Sequence, residues 1–234
     1  MNAVIFDLDD TLYRERRWLV SGFGAVARHL EVAHRADRRQ VLRCLVASLR
    51  AGHRHDAFQR LCQRFGLSEA LIPGFVKLVR THRPALTLCR STRSVLARLR
   101  SDWRIGVLTN GMPAVQERKA AALGVRELVD TLVYASNHGG KPEPEPFLEV
   151  ARRIRVEPAR CVFVGDDPWC DVFGARQVGM RTVRIRRPGK GPSDGAGEAD
   201  AVIDDLVEVA EVARRLLATG SERHDDNDDL RACG

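Results

Sequence analysis

The sequence predicts an α/β protein: a parallel β-sheet covered by helices on both faces, with a small all-helical domain inserted after the first strand. Two observations predict this fold. Short apolar runs alternate with stretches of helical periodicity along most of the chain, which is typical of strands buried in a parallel sheet. Between residues 14 and 84, apolar residues recur only at helical spacing. The 234 residues suffice for one such domain and a smaller appendage.

The predicted elements follow in order. The first strand is the apolar run at residues 3–6, which ends at Asp7. The insert at 14–84 is predicted to hold three or four helices, separated by glycines and prolines. Further strands are predicted at 105–108, 131–134, 161–164, 181–185 and 201–203, the last at an edge. Helices are predicted between and after them, at 91–99, 113–123, 144–154, 170–178 and 205–217.

This pattern assigns residues 1–13 and 85–218 to the α/β core and 14–84 to the helical insert. Residues 188–200 are rich in Gly and Pro and are predicted to form a loop. Residues 219–234 have no apolar periodicity and carry four aspartates, so we expect a disordered tail.

Composition limits the partners and the location. The chain has 38 Lys and Arg residues against 31 Asp and Glu residues, which gives a net charge of +7. Because this charge is modest and the basic residues are scattered along the chain, no nucleic-acid partner is expected. No apolar run reaches the roughly 18 residues of a membrane span. The N-terminus meets an acid at its seventh residue, unlike a signal peptide, so we expect a cytoplasmic protein. The six cysteines form no CxxC pair, so neither a zinc site nor a redox motif is indicated.

Polar residues collect where the predicted strands end. Ligands of open parallel sheets bind outside the carboxyl ends of the strands, so residues that follow different strands are expected to meet there. The residues at these ends are Asp7 and Asp9, then Thr109, Asn110 and Gly111, then Lys141, and finally Asp166, Asp167 and Asp171.

So many carboxylates need compensation. Two unit charges about 4 Å apart repel by about 4 kcal/mol at an effective dielectric near 20. The acids must therefore be protonated, paired or bound to a metal. Oxygen ligands with a single lysine favour Mg²⁺, and no His or Cys in the set favours zinc.

Four segments at these strand ends resemble the ordered motifs of the haloacid dehalogenase (HAD) superfamily. They are Asp-Leu-Asp-Asp-Thr at 7–11, Leu-Thr-Asn-Gly at 108–111, Gly-Lys-Pro-Glu-Pro at 140–144, and Gly-Asp-Asp at 165–167 with Asp171. The resemblance covers residues 2–217. It implies a Rossmann-like, doubly wound core, and the insert resembles the cap of the subclass that carries one between the first two motifs.

The resemblance also implies an activity. The protein would be a Mg²⁺-dependent phosphatase that hydrolyses a small phosphomonoester, such as a sugar phosphate or a nucleotide, through an aspartyl-phosphate. Asp7 would be the nucleophile and a metal ligand. Asp9 would exchange protons with the leaving oxygen and the water, and its backbone carbonyl would bind the metal. Asp166 would bind the metal directly.

The other motif residues receive supporting roles from the same resemblance. Thr109, the backbone N–H of Asn110 and Lys141 would bind the phosphate, and Thr109 and Lys141 count among the catalytic residues. Asp171 would lie around the metal, beyond its direct ligands. Asp167 could do so too, or could cap the following helix.

Alternatives to a phosphatase remain open at this point. A phosphomutase would use the same four motifs. Dehalogenases of the family lack the second acid of the first motif and the metal, so Asp9 argues against that activity. A binding protein that kept the fold is a further alternative. The substrate, the specificity residues of the insert and the oligomeric state are not indicated by the sequence.

Overall fold

The computed structural model describes residues 1–187 and 198–225. The chain divides into two compact units. One consists of Met1–Arg14 and the residues from Thr87 onward, and the other is Glu15–Leu86.

The inserted unit, all of whose residues are described, is helical as predicted. Its helices are α1 (Glu15–His34), α2 (Arg38–Arg50), α3 (Ala57–Phe65) and α4 (Ile72–Thr81). Helix α2 begins at Asp37, whose side chain accepts hydrogen bonds from two backbone N–H groups of the first turn. The ring of Phe58 lies between those of Phe23 and Phe75 in the core of this unit, with centroids 6.0 and 5.7 Å away.

The larger unit confirms the predicted α/β fold class. In its described residues, six strands form one parallel sheet in the order β3-β2-β1-β4-β5-β6. The strands are β1 (Asn2–Phe6), β2 (Trp103–Thr109), β3 (Thr131–Tyr134), β4 (Cys161–Gly165), β5 (Arg181–Ile185) and β6 (Ala201–Ile203). All six lie where the apolar runs predict them, and β6 is at an edge.

Helices cover the sheet because the central strands have no polar face. The helices are α5 (Arg90–Leu99), α6 (Pro113–Leu123), α7 (Pro144–Ile154), α8 (Gly174–Gln177) and α9 (Val209–Asp225). Ala3 and Ile5 of β1 belong to one buried cluster with Phe147 of α7. Val4 and Phe6, also fully buried, point to the opposite face, since side chains alternate along a strand.

Two elements differ from the prediction. The sequence predicts a helix at 170–178, but a π-helical segment, Pro168–Phe173, comes first and α8 follows. This segment starts earlier because Asp167 caps it and Pro168 needs no hydrogen-bond acceptor in a first turn. Helix α9 continues to Asp225 rather than ending at 217. Residues 218–225 contain no proline, and backbone hydrogen bonding needs no apolar face.

The remainder of the predicted loop and tail, residues 188–197 and 226–234, lies outside the described residues. Among the described residues, no helix combines the length and the apolar composition of a membrane-spanning segment.

Candidate active site

The strand order places the motif residues at one point of the sheet. β1 lies in the centre between β2 and β4, and the chain passes from β3 to β4 across β1. Parallel sheets bind ligands at the carboxyl ends of the strands where the strand order reverses. The residue that directly follows β1 is Asp7, the one that follows β2 is Asn110, and the one that follows β4 is Asp166. The backbone N–H of Asp7 still pairs with Val164 O of β4 at 2.9 Å.

Lys141 connects two buried carboxylates at this point. Its Nζ donates to Asp7 Oδ1 at 2.7 Å and to Asp171 Oδ1 at 2.6 Å. The side chain is only 2% exposed and also lies 5.5 Å from the centroid of the Phe163 ring. Burial works against the charged form of Lys141, yet the carboxylates of Asp171 and Asp7 raise its pKa above the usual lysine value. The lysine is therefore a fixed positive charge beside Asp7.

Asp7 is buried more deeply than one lysine can compensate. Burial raises the pKa of Asp7 to about 8, and the neighbouring Asp171 and Asp9 add to the increase while Lys141 opposes it. Without a further cation, the nucleophile expected at this position would be protonated over much of the neutral range. The surroundings of Asp7 thus call for more positive charge than Lys141 supplies.

The acidic cluster fits a divalent cation. Asp7, Asp166 and Asp171 are buried, and each offers a carboxylate oxygen within 4.8 Å of the other two. Three carboxylates and the single ammonium of Lys141 leave a net charge of −2, which one divalent ion would balance. Oxygen ligands of this kind suit Mg²⁺. Both carboxylate oxygens of Asp171 already accept hydrogen bonds, Oδ1 from Lys141 Nζ and Oδ2 from the backbone N–H of Asp167, so Asp7 and Asp166 are the best candidates for direct ligands.

Asp171 reaches Lys141 because residue 165 has no side chain. A Cβ built on Gly165 would lie 2.3 Å from Asp171 Oδ2, far inside van der Waals contact. The same oxygen accepts a hydrogen bond from the backbone N–H of Asp167 at 3.0 Å. The glycine of the fourth motif therefore makes room for a carboxylate.

Gly165→Ala is expected to displace the Asp171 carboxylate from Lys141. The kcat/KM of the phosphatase reaction expected from the motifs should fall by about 10²-fold, and the free energy of unfolding should fall by about 1–3 kcal/mol. Gly74→Ala is the matched control, since a Cβ there, in helix α4, would meet no described atom within 4 Å apart from its chain neighbours and the nearby backbone of its own helix. Steady-state kinetics and thermal melting of both variants test this. Wild-type kinetics in Gly165→Ala would contradict it.

Asp167 acts as a helix cap in the structure. Its Oδ1 accepts hydrogen bonds from the backbone N–H groups of Trp169 at 2.9 Å and Cys170 at 2.8 Å. Of the two roles that the sequence leaves open for Asp167, these contacts favour the cap. A role around the metal stays a prediction.

The second and third motifs are joined through the side chain of Asn110. Its Nδ2 donates to Lys141 O at 3.0 Å, and its Oδ1 accepts from Lys141 N at 2.8 Å. The sequence predicts Asn110 to act through its backbone N–H, and this pairing of the side chain adds a second task. Thr109 is buried at the end of β2, beside the Leu108 carbonyl that lies 3.3 Å from Lys141 Nζ.

Asp9 is held by residues that the sequence analysis missed. Lys119 Nζ lies 2.9 Å from Asp9 Oδ1 and 2.7 Å from Oδ2. Gln116 Nε2 donates to Oδ2 at 3.0 Å, and Tyr13 Oη donates to Oδ1 at 2.5 Å. A signal for two of them was available, because Gln116 and Lys119 share the buried face of α6 with Ala120. Polar residues on such a face indicate buried partners.

Comparison with known proteins agrees with this geometry. Residues 1–179 match the family of haloacid dehalogenase-like hydrolases. The chain belongs to this family. The resemblance drawn from the four motifs is thereby confirmed, and the larger unit can be called the HAD-like core.

Individual relatives of this HAD-like chain extend over nearly its whole length. A glyceraldehyde 3-phosphate phosphatase of Methanopyrus kandleri is 30% identical over 232 residues, covering 92% of this chain and 98% of the relative. The crystal structure of a HAD phosphatase from Thermococcus onnurineus matches with a TM-score of 0.60 at 26% identity, covering 91% and 97% of the two chains. A 2-haloacid dehalogenase from Pseudomonas syringae matches with a TM-score of 0.63, also at 26% identity, covering 92% and 99%.

The acidic cluster of the HAD-like core predicts a pH dependence of stability in divalent-free buffer. Asp7 has a higher pKa in the folded protein than its ordinary 3.8. The folded state therefore keeps a proton that the unfolded chain releases, and its stability falls as pH rises from about 4 to about 8. Asp7→Asn, which stays neutral, should become more stable than wild type over this range.

Thermal melting of both proteins in chelator across this pH range tests the expectation. Mg²⁺ should then raise the melting temperature of wild type more than that of Asp7→Asn, because the variant has lost one carboxylate of the cluster. If the melting temperatures of the two proteins changed with pH in parallel, the inference that burial raises the pKa of Asp7 would be contradicted.

Proposed function

We propose that this HAD-like hydrolase is a Mg²⁺-dependent phosphatase that acts on a small phosphomonoester through an aspartyl-phosphate on Asp7. One observation carries the proposal: Asp7 is buried against Lys141 as a member of an acidic cluster suited to a divalent cation, and a second acid, Asp9, follows two residues later. This combination suits attack by a carboxylate on a phosphoryl group whose charge is neutralised.

The first half of the reaction would use both acids. An oxygen of Asp7 attacks phosphorus and forms the aspartyl-phosphate, while the bond from phosphorus to the ester oxygen breaks. The electron pair of that bond stays on the leaving oxygen, which takes a proton from Asp9 and departs as an alcohol.

The second half would use the same residues in reverse. Asp9, now a carboxylate, takes a proton from a water molecule that attacks the phosphorus of the aspartyl-phosphate. The bond from phosphorus to Asp7 breaks, orthophosphate forms, and Asp7 is again a carboxylate. Protonated Asp9 is then ready for the next substrate.

The charge of the phosphoryl group would be balanced by fixed groups. Lys141 supplies a buried ammonium 2.7 Å from Asp7 Oδ1. The hydroxyl of Thr109 and the backbone N–H of Asn110 would donate to phosphate oxygens. A Mg²⁺ ion held by Asp7, the Asp9 carbonyl and Asp166 would neutralise charge on the transferred group when bound. The role of Asn110 would include holding Lys141 in place through its side chain.

The relatives support the reaction and the substrate class. The Methanopyrus kandleri relative is named a glyceraldehyde 3-phosphate phosphatase, and the Thermococcus onnurineus structure is described as a HAD phosphatase. We propose small phosphorylated metabolites such as triose phosphates, other sugar phosphates or nucleotides as substrates. Asp9 and the acidic cluster argue against dehalogenation, because the resemblance to the HAD superfamily implies that a dehalogenase lacks the second acid of the first motif and the metal.

A panel of phosphomonoesters tests the proposal, with glyceraldehyde 3-phosphate, hexose phosphates and nucleoside monophosphates assayed for released orthophosphate. Turnover that depends on Mg²⁺ and stops with chelator is expected. An isomerised sugar phosphate without orthophosphate release would identify a phosphomutase instead. Halide release from 2-haloacids without phosphatase activity would identify a dehalogenase. Inertness toward all of these compounds in the presence of Mg²⁺ would overturn the proposal.

A further inference from the structure

Both oxygens of the Asp9 carboxylate are bound by donors. Oδ1 accepts from Tyr13 Oη and Oδ2 accepts from Gln116 Nε2, while Lys119 Nζ lies within 3 Å of both oxygens. Tyr13 is four residues from Asp9 in the same loop, whereas Gln116 and Lys119 come from helix α6, more than a hundred residues away. The carboxylate is therefore fixed from two independent parts of the HAD-like core.

The position of Lys119 requires that a charged ammonium group be buried, which costs free energy. Its side chain is 3% exposed, and a buried ammonium is tolerated only when it is paired. Such a pair is weak evidence for stability, because apolar residues of similar volume often replace buried ion pairs without loss. A requirement for the Asp9 carboxylate in one orientation explains this ion pair better than folding does.

Gln116 strengthens the same argument. The residue is 4% exposed, and besides Asp9 its Nε2 donates to the backbone carbonyl of Asn110, in the second motif. Gln116 thus connects Asp9 to the segment that holds Lys141. Two acids of the first motif each pair with a buried lysine: Asp7 with Lys141 and Asp9 with Lys119.

We propose that Lys119 and Gln116 are positioning residues, which hold the Asp9 carboxyl group where it meets the leaving oxygen of the substrate. The inference rests on the proposed phosphatase function and concerns its first step. When the bond from phosphorus to the ester oxygen breaks, the leaving oxygen receives the bonding electron pair and the Asp9 proton. A misplaced Asp9 delivers that proton poorly. The resulting loss of rate should be large for a strongly basic leaving oxygen, which must be protonated to depart, and small for a weakly basic one.

The experiment compares two leaving groups in the variant Lys119→Met. An alkyl phosphomonoester releases a strongly basic alkoxide unless it is protonated, whereas acetyl phosphate releases acetate, which needs no proton. The ratio kcat/KM reports only on steps up to departure of the leaving group. We expect kcat/KM of Lys119→Met to fall by about 10²-fold for the alkyl ester and by less than about fivefold for acetyl phosphate. Gln116→Met should likewise lower kcat/KM more for the alkyl ester than for acetyl phosphate, but the difference should be smaller than in Lys119→Met.

Matched controls separate positioning from a general loss of structure. Arg118→Met removes a positive charge from the neighbouring position of α6, where Arg118 is exposed and donates to Ala114 O, and it should leave both rates unchanged. In an Asp9→Asn background, Lys119→Met should cost almost nothing further for the alkyl ester, since its effect passes through Asp9.

The outcomes distinguish this inference from the proposed function. If wild type hydrolyses neither substrate, the proposed phosphatase activity fails. If wild type is active but Lys119→Met and Gln116→Met lose equal factors on both substrates, or if the losses add fully to that of Asp9→Asn, the positioning role is wrong. Should Lys119→Met not fold, the comparison in Gln116→Met alone decides.

Discussion

Asp7→Asn is expected to lower kcat by at least about 10⁴-fold on any phosphomonoester that the wild type hydrolyses. The substitution keeps the size of the side chain but replaces the attacking carboxylate oxygen with a poorly nucleophilic amide. The variant should fold well, because the site is relieved of a buried charge whose pKa burial raises to about 8. Orthophosphate release under saturating substrate and Mg²⁺ measures the loss.

Asp10→Asn provides the control in the same loop. It makes the same chemical change three residues away, and asparagine tolerates the positive φ of 58° that residue 10 adopts. The proposed mechanism assigns no role to the Asp10 side chain, and the backbone carbonyl of Asp10, which accepts from Arg187 Nε, is unaltered. We expect activity within about threefold of wild type. Equal losses in the two variants, or an active Asp7→Asn, would refute the aspartyl-phosphate mechanism.

The strands were predictable because burial on both faces leaves an unambiguous pattern. A run such as Val162-Phe163-Val164 has no polar face, and it ends at a glycine and acids that can only be a turn. The end of α9 was not predictable in the same way. The sequence of residues 218–225 has no apolar stripe to follow, so the apolar periodicity stops before the helix does.

The predictable part of the site lies directly at strand ends. Asp7 and Asp166 follow β1 and β4 without an intervening residue, so the sheet alone brings them together. The contact between Asn110 and Lys141 and that between Lys119 and Asp9 join segments 31 and 110 residues apart. Such contacts depend on how a helix or loop packs over the rim, which periodicity does not specify.

Lys119 illustrates what distinguishes a missed residue from a found one. The chain has only four lysines, and the position of Lys141 between glycine and proline in a loop distinguishes it in the sequence. Lys119 lies within an ordinary alanine-rich helix, where a lysine is normally exposed and solvated. Lys119 lies about one helical turn from Val115 on one side and from Leu123 on the other. This spacing places Lys119 on the same buried face of α6 as these two apolar residues.

Lys141→Met is expected to lower kcat/KM by about 10³-fold and stability by about 3–5 kcal/mol in divalent-free buffer. The variant leaves Asp7 and Asp171 buried without the ammonium that lies 2.7 and 2.6 Å from them. It also removes the fixed charge that would stabilise the transferred phosphoryl group. Kinetics with Mg²⁺ and chemical denaturation without it measure the two effects separately. Lys77→Met, at an exposed position of α4, should change neither quantity.

A second variant separates the structural role of Lys141 from its catalytic one. Lys141→Met combined with Asp171→Asn removes one positive and one negative charge, so much of the lost stability should return. Activity should not return, because the phosphoryl group still lacks its ammonium partner. If the double variant regained wild-type kcat/KM, Lys141 would serve only to neutralise Asp171. The charge balance at Asp7 would then have to come from the divalent cation alone.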